Sequence, residues 1–274
     1  MAVTMADITH LRKMTGAGMM DCKNALTESD GDFDKAVEII RKKGQAVAAK
    51  RSDRDASEGC VLAKAEGKYA AILALKCETD FVAKNADFIA LTTQILDLAI
   101  AGKSACIEAV KALPLGKGTV ADAVTDRSGI TGEKMELDGY SFVEGETTAV
   151  YIHPGNKLAT IVALNQAGVD TQIAREVAMQ VAAMNPISVD PASIPADILA
   201  REKEIAADKA RQEGKPENMI ARIAEGRISK FYKEACLLEQ EYVKDEKLTI
   251  AQFLNNHSKG LTVTAFKRFT LNAE

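Results

Sequence analysis

At 274 residues the chain can form one large domain or two to three smaller ones, and its 47% hydrophobic and 27% charged residues suit a soluble protein with a packed core. No run is long and apolar enough to span a membrane, and the opening MAVTMADITHLRK lacks the apolar core of a secretion signal. A net charge of −4 and a pI near 5.6 argue against a general nucleic-acid binder. The five cysteines, Cys22, Cys60, Cys77, Cys106 and Cys236, are widely spaced and form no CxxC pair. Buried, reduced thiols of a cytosolic protein are therefore expected, with no zinc or redox motif. His10, His153 and His257 are too few and too scattered to argue for a metal.

Met5, Ile8 and Leu11 recur at helical spacing, and Thr15-Gly16-Ala17-Gly18 stops that helix. A second helix is expected from Met19 to about Glu28. Asp32, after the turn Ser29-Asp30-Gly31, is a good N-cap for a third. In that helix Phe33, Ala36, Val37 and Ile40 share a face, and Gly44 is read as its end. Three short helices make a bundle of marginal size for a stable fold. The polar, aperiodic stretch from Ala48 to Ser57 reads as a linker.

Cys60 to Lys64 and Ala70 to Cys77 read as two strands joined by a turn at Glu66-Gly67-Lys68. In the second strand Ala71, Leu73, Leu75 and Cys77 share one face, and Ile72, Ala74, Lys76 and Glu78 the other. The polar drift of the latter predicts a sheet covered on one side. The strand runs into Glu78-Thr79-Asp80-Phe81-Val82-Ala83-Lys84-Asn85, and a helix is expected from Ala86 with Phe88, Leu91, Ile95 and Leu98 in a stripe. This connector carries an acid, an aromatic and a base within five residues, and loops carry function more often than the elements they join. Phe81 then reads either as a core residue opening the helix or as a projecting contact. Gly102-Lys103-Ser104 follows a helix and lacks the first glycine of a phosphate-binding loop, so Gly102 is expected to be a helix stop.

The pattern returns later. Thr148 to Ile152 and Leu158 to Leu164 read as strands around the turn His153-Pro154-Gly155-Asn156. A helix follows Asp170, with Ile173, Val177, Val181 and Met184 in a stripe. Ala71 and Ala159 begin matching apolar runs 88 residues apart. Two related subdomains are expected, each completed by a third strand, Lys134 to Val143 in the first and Leu261 to Leu271 in the second. The second copy has Ala167-Gly168-Val169-Asp170 at the position of the connector, so Thr-Asp-Phe-Val is not needed to build the unit. Between the second helix and its last strand, Ala196 to Gln212 and Glu217 to about Leu238 read as an inserted antiparallel helical hairpin around Gly214-Lys215-Pro216.

Leu11-Arg12-Lys13-Met14-Thr15-Gly16-Ala17-Gly18-Met19-Met20-Asp21-Cys22-Lys23 resembles the N-terminal signature of the bacterial elongation factor Ts family, departing from it at Asn24, where a second lysine is common. Thr79-Asp80-Phe81-Val82, Gly214-Lys215-Pro216 and Glu225-Gly226-Arg227 are similar to the same family, and the resemblance runs from Met1 to about Leu271. It implies an α+β fold with an N-terminal three-helix UBA-like (ubiquitin-associated-like) bundle, a core of two related antiparallel-sheet-plus-helix subdomains, and an inserted coiled-coil-like hairpin. The implied division is 1–46 for the bundle, 47–57 for the linker, 58–145 for the first subdomain, 146–188 with 240–274 for the second, and 189–239 for the hairpin. The family's better-known members carry a further C-terminal helical module, which this sequence is expected to lack.

The resemblance implies a cytoplasmic guanine nucleotide exchange factor without covalent chemistry, catalytic residues, metal or cofactor. Its partner would be elongation factor Tu, GDP-bound and nucleotide-free, with no direct nucleic acid and no membrane, and with a homodimer or a 2:2 complex left open. Thr79, Asp80, Phe81 and Val82 would dislodge the partner's magnesium. Lys23, Thr131, Gly132, His153, Val243 and Lys244 would make the other contacts, Thr131-Gly132 standing where the family has Ile-Gly. The alternative is a non-catalytic adaptor using the UBA-like module, and an enzyme with a nucleotide site of its own is a further rival.

Overall fold

The computed structural model describes residues 3–272. The described chain is a mixture of helices and antiparallel strands, as the α+β reading requires. It divides into two compact units. One comprises Met1–Leu62, Leu73–Tyr140 and Leu271–Glu274, and the other Ala63–Ile72 and Ser141–Thr270.

The first unit opens with α1 (Met5–Thr15), α2 (Met19–Glu28) and α3 (Phe33–Ala49). Thr4 caps α1 in a reciprocal box with Asp7, Gly16 closes it in the left-handed conformation, and Asp32 caps α3 by accepting from the Lys35 amide. Ile8, Leu11, Cys22, Ala25, Leu26 and Ala36 form a small buried core. Met5, Met19 and Met20 stay out of it, so the methionine pair in the signature is surface. Gly44 does not end α3, which continues to Ala49. The physical reason is a helix crossing. Gly44 packs against Gly129 of α7 (Val120–Thr131), and the absence of both side chains lets the two backbones touch. Arg41 of α3 flanks the crossing, 3.4 Å from Asp122 and 3.3 Å from Asp126.

Strands β1 (Glu58–Glu66) and β2 (Tyr69–Cys77) are followed by the one-turn helix α4 (Asp80–Ala83) and by α5 (Ala86–Ala101). The stretch before α7, with α6 (Ile107–Lys111) and the small ladder β3 (Pro114–Leu115) and β4 (Gly118–Thr119), has too little periodicity to be read from sequence. With β5 (Glu136–Glu144), β1 and β2 make a three-stranded sheet in the order β1-β2-β5. The expectation of a half-open sheet is corrected at β2. Ala70 to Leu75 are buried on both faces, so the sheet is covered on both sides along this strand, and only the Lys76 end opens to solvent. Gly102 caps α5, and Lys103 follows it in the left-handed conformation.

In the second unit β6 (Thr147–Ile152), β7 (Leu158–Leu164) and β10 (Val263–Thr270) form an antiparallel sheet in the order β10-β7-β6. The two sheets share one plan: a hairpin, then a helix, then a late strand added on the far side of the central one. Helix α8 (Thr171–Met184), capped by Asp170, packs Val177 and Val181 into the core, while Met184 at its end is exposed. Helices α9 (Ala196–Gln212) and α10 (Glu217–Ala235) pack on each other around a turn at Gly214. Arg227 reaches Glu213 through one guanidinium nitrogen, Nη2, which donates to both carboxylate oxygens at 2.7 and 2.8 Å. Helix α10 ends at Ala235, before Leu238. The short strands β8 (Glu241–Tyr242) and β9 (Asp245–Thr249) and helix α11 (Ile250–His257) fill the space before β10, and sequence periodicity did not announce them.

Candidate functional site

The connector after β2 is built around Thr79. Its backbone is extended, and its hydroxyl accepts from the Val82 amide at 3.4 Å and so caps α4. Its carbonyl accepts from the Ala83 amide at 3.1 Å and from the Cys77 thiol at 3.2 Å. Burial pushes the Cys77 thiol up to about 12, which keeps it protonated and unreactive. Asn85 then caps α5 through the Asp87 amide at 2.9 Å. On the turn between these caps, Asp80 pairs with Lys84 at 2.6 Å, and this hydrogen bond raises the Lys84 pKa. Of α4, only Ala83 is buried. Phe81 is 84% exposed, the most exposed of the large hydrophobic side chains among the described residues. A solvent-facing phenyl ring on a helical turn contributes almost nothing to the fold, so the core reading of Phe81 is excluded.

Beneath the turn lies a residue that sequence reasoning missed. Glu133 accepts from the Glu78 amide at 3.2 Å, the Thr79 amide at 3.0 Å and the Thr79 hydroxyl at 2.6 Å. It is delivered by the end of α7. Gly132 closes that helix at φ 73°, Ser128 donates to the Glu133 carbonyl at 2.6 Å, and the Glu133 amide donates to the Thr131 hydroxyl at 3.3 Å. Thr131 and Gly132 thus belong to a helix end and its cap, which shape the turn under the connector. Glu78 is held as firmly. Its carboxylate accepts from the Lys134 amide at 2.6 Å and from Arg54 at 2.9 Å, with Arg51 at 3.7 Å. These contacts, the Lys134 amide first, hold its pKa below the usual glutamate value. Arg127 of α7 donates to Asn85 at 3.1 Å and pairs with Asp87 at 3.1 Å. A lone glutamate partnered more than 50 residues away in the chain leaves no local sequence signal.

Lys23 lies on the exposed side of α2, between the buried Cys22 and Ala25. Thr79 to Val82 and Thr131-Gly132 are brought together through Glu133; Lys23 belongs to a different element, α2. In the second unit His153 is exposed on the β6–β7 turn, with its Nδ1 3.0 Å from the Tyr151 hydroxyl. Val243 and Lys244 form the turn between β8 and β9. Val243 is 44% exposed, and its amide donates to Gln180 at 3.0 Å. Lys244 is bound to Glu176 of α8 at 2.8 Å, so part of its work is internal.

Burial would raise the Glu176 pKa, but hydrogen bonds from Lys244, Tyr242 and Gln172 outweigh it and bring the value from 4.5 to about 2. Because the folded value is depressed, the stability this carboxylate supplies is complete above about pH 4.5 and is lost as pH falls towards 2. Glu176→Gln is therefore expected to lower stability at pH 7 by up to about 3 kcal/mol and to flatten the acid limb of the stability curve. Urea titrations between pH 3 and 7 check this; parallel curves for the two proteins would contradict it.

Among the described residues no group of three or more His, Cys, Asp or Glu side chains is arranged to hold a metal ion. Four of the cysteines are buried, but Cys106 is exposed, which corrects the expectation that all five would be interior. Gly102-Lys103-Ser104 is a helix end whose Ser104 carbonyl accepts from Tyr140 at 2.8 Å, which accounts for it without a phosphate.

A family model described as Elongation factor TS matches residues 78–273, which include the connector and Glu133. Over its full length the chain is 61% identical to a protein of Porphyromonas gingivalis, 54% identical to one of Azobacteroides pseudotrichonymphae and 53% identical to one of Phocaeicola vulgatus. Each of these relatives is named Elongation factor Ts and is itself covered completely. A family match over most of the chain and identity of this order from end to end show that the chain belongs to the elongation factor Ts family.

Proposed function

We propose that the protein is a guanine nucleotide exchange factor that binds elongation factor Tu carrying GDP and speeds release of the nucleotide without covalent chemistry. The observation that carries this reading is Phe81, 84% exposed on a turn held by hydrogen bonds to Glu133. A GTPase retains its nucleotide largely through magnesium and positioned phosphate donors. An aromatic wedge that moves the elements holding them, with Asp80 beside it, displaces magnesium and weakens the phosphate contacts. Binding of the factor and of nucleotide then oppose each other reciprocally, and GTP displaces the factor in turn.

In this reading Thr79, Asp80, Phe81 and Val82 act at the magnesium site, and Lys23, Thr131, Gly132, His153, Val243 and Lys244 lie on the partner-facing surfaces. Helices α1–α3 serve as a UBA-like interaction module, and their exposed Met5, Met14, Met19 and Met20 suit an adaptable apolar contact. The α9–α10 pair serves as a coiled-coil-like arm for the partner or for a second copy in a 2:2 assembly. The protein works in the cytoplasm without cofactor, nucleic acid or membrane. No helix among the described residues is long and apolar enough to cross a membrane.

The test is release of fluorescently labelled GDP from purified elongation factor Tu. Micromolar amounts of the protein are expected to accelerate it strongly. An unchanged rate would leave the adaptor reading in its place, and nucleotide binding by the isolated protein would favour the enzyme reading.

A further inference from the structure

We infer that Glu133 is a positioning residue for exchange: its carboxylate fixes the direction in which Phe81 is presented, an inference that rests on the exchange reading above. A helix of four residues has no stability of its own. Burial does not orient it either, since Ala83 is its only buried residue and Phe81 points to solvent. What remains is hydrogen bonding: Glu78 on Lys134 and Arg54 before the turn and Asn85 on Arg127 after it tie its flanks, and Glu133 alone takes the amide and hydroxyl of Thr79, its N-cap. Two carboxylate oxygens of Glu133 take the Glu78 amide, the Thr79 amide and the Thr79 hydroxyl, and that same hydroxyl caps α4.

A charged acceptor shared by three donors is a strong anchor, and its own support is stiff. The Glu133 backbone is tied to Ser128 and Thr131 of α7, which is pressed against α3 at the Gly44–Gly129 crossing. Phe81 is thus borne on a preorganised turn and loses little freedom when it enters the partner. Without Glu133 the turn samples other directions, and each encounter places the ring correctly less often.

The experiment compares the unaltered protein with Glu133→Ala, Glu133→Leu, Phe81→Ala and the double variant Glu133→Ala/Phe81→Ala. Labelled GDP release from elongation factor Tu is followed as the factor concentration is varied, and hydrogen exchange is measured on each free protein. Glu133→Ala is expected to lower the maximal exchange rate about tenfold, the scale of a small misplacement of a working group. Its half-saturating concentration should move by less than about threefold, because most of the contact surface is untouched. Glu133→Leu, which fills most of the same space but offers no acceptor, should show most of the same loss. It carries the test if Glu133→Ala does not fold.

In the Phe81→Ala background Glu133→Ala should cost nothing further, since there is no ring left to position. Amides of Val82 to Asn85 should lose protection while those of α3 and α5 keep it. A Glu133→Leu rate within twofold of the unaltered protein, or an equal loss with and without Phe81, overturns the inference. Failure of the unaltered protein to accelerate release overturns the exchange reading itself, whatever the variants do in hydrogen exchange.

Discussion

Replacing Phe81 by alanine is expected to cut the maximal rate of GDP release from elongation factor Tu by about 30- to 150-fold while leaving the fold intact. Truncating a central aromatic contact typically costs about 2–3 kcal/mol of interaction, and if that energy is expressed in the exchange transition it lowers the rate by this factor. The folded protein loses almost nothing, because a ring that is 84% exposed buries little apolar area, and changes at such sites stay within about 0.5 kcal/mol. Phe88, seven residues on in α5 and fully buried, is the internal control. Phe88→Ala should cost about 3–5 kcal/mol of stability. Stopped-flow exchange and urea unfolding on the same samples separate the two. A Phe81→Ala protein that unfolds early yet exchanges normally, once folded, would reverse the assignment of these two rings.

That contrast marks what the sequence could and could not tell. Both phenylalanines follow a strand and adjoin a helix, and composition does not distinguish them. The distinction comes from phase. Phe88 falls on the Phe88–Leu91–Ile95 stripe, where Phe88 and Ile95 are fully buried, and Phe81 falls on a turn too short to have a stripe. Elements with local signals were legible: Asp32, Asn85 and Asp170 cap helices, and β6, β7 and β10 lie within two residues of the expected runs. Features set by distant contact were not. The burial of both faces of β2 depends on what covers the sheet. Glu133 is one acid among 39 acidic residues until the fold brings it to Thr79. The small ladders β3–β4 and β8–β9 are too short for any period to show.

Gly44 is the most instructive misreading, and it leads to the second large effect. A glycine near the end of a helical pattern usually marks the stop, but here it is the interior of α3 at its contact with α7. The two glycines at this crossing should respond in opposite ways. A Cβ on Gly129 would lie 2.2 Å from the Gly44 Cα, 2.6 Å from its carbonyl carbon and 2.7 Å from its oxygen, all backbone atoms that cannot rotate away. The helices would have to part, loosening Arg41 from Asp122 and Asp126. Overpacking of this kind costs about 1–3 kcal/mol and more where backbone must move. The gain of about 1 kcal/mol in helix propensity only partly offsets it.

Gly129→Ala is therefore expected to destabilise the first unit by about 2 kcal/mol. A Cβ on Gly44 would stand 3.4 Å from the Gly129 Cα, a tight contact relieved by a shift of a few tenths of an ångström. There the propensity gain is comparable with the strain, and Gly44→Ala should change stability by less than about 1 kcal/mol in either direction. Thermal and urea unfolding of the two variants decide the matter. Because α7 also carries Ser128 and Thr131 beneath Glu133, Gly129→Ala should slow exchange as well, at temperatures where the protein is still folded. Equal destabilisation by the two alanines would mean that the crossing is looser than the glycine pair implies, and that the turn bearing Phe81 is braced from elsewhere.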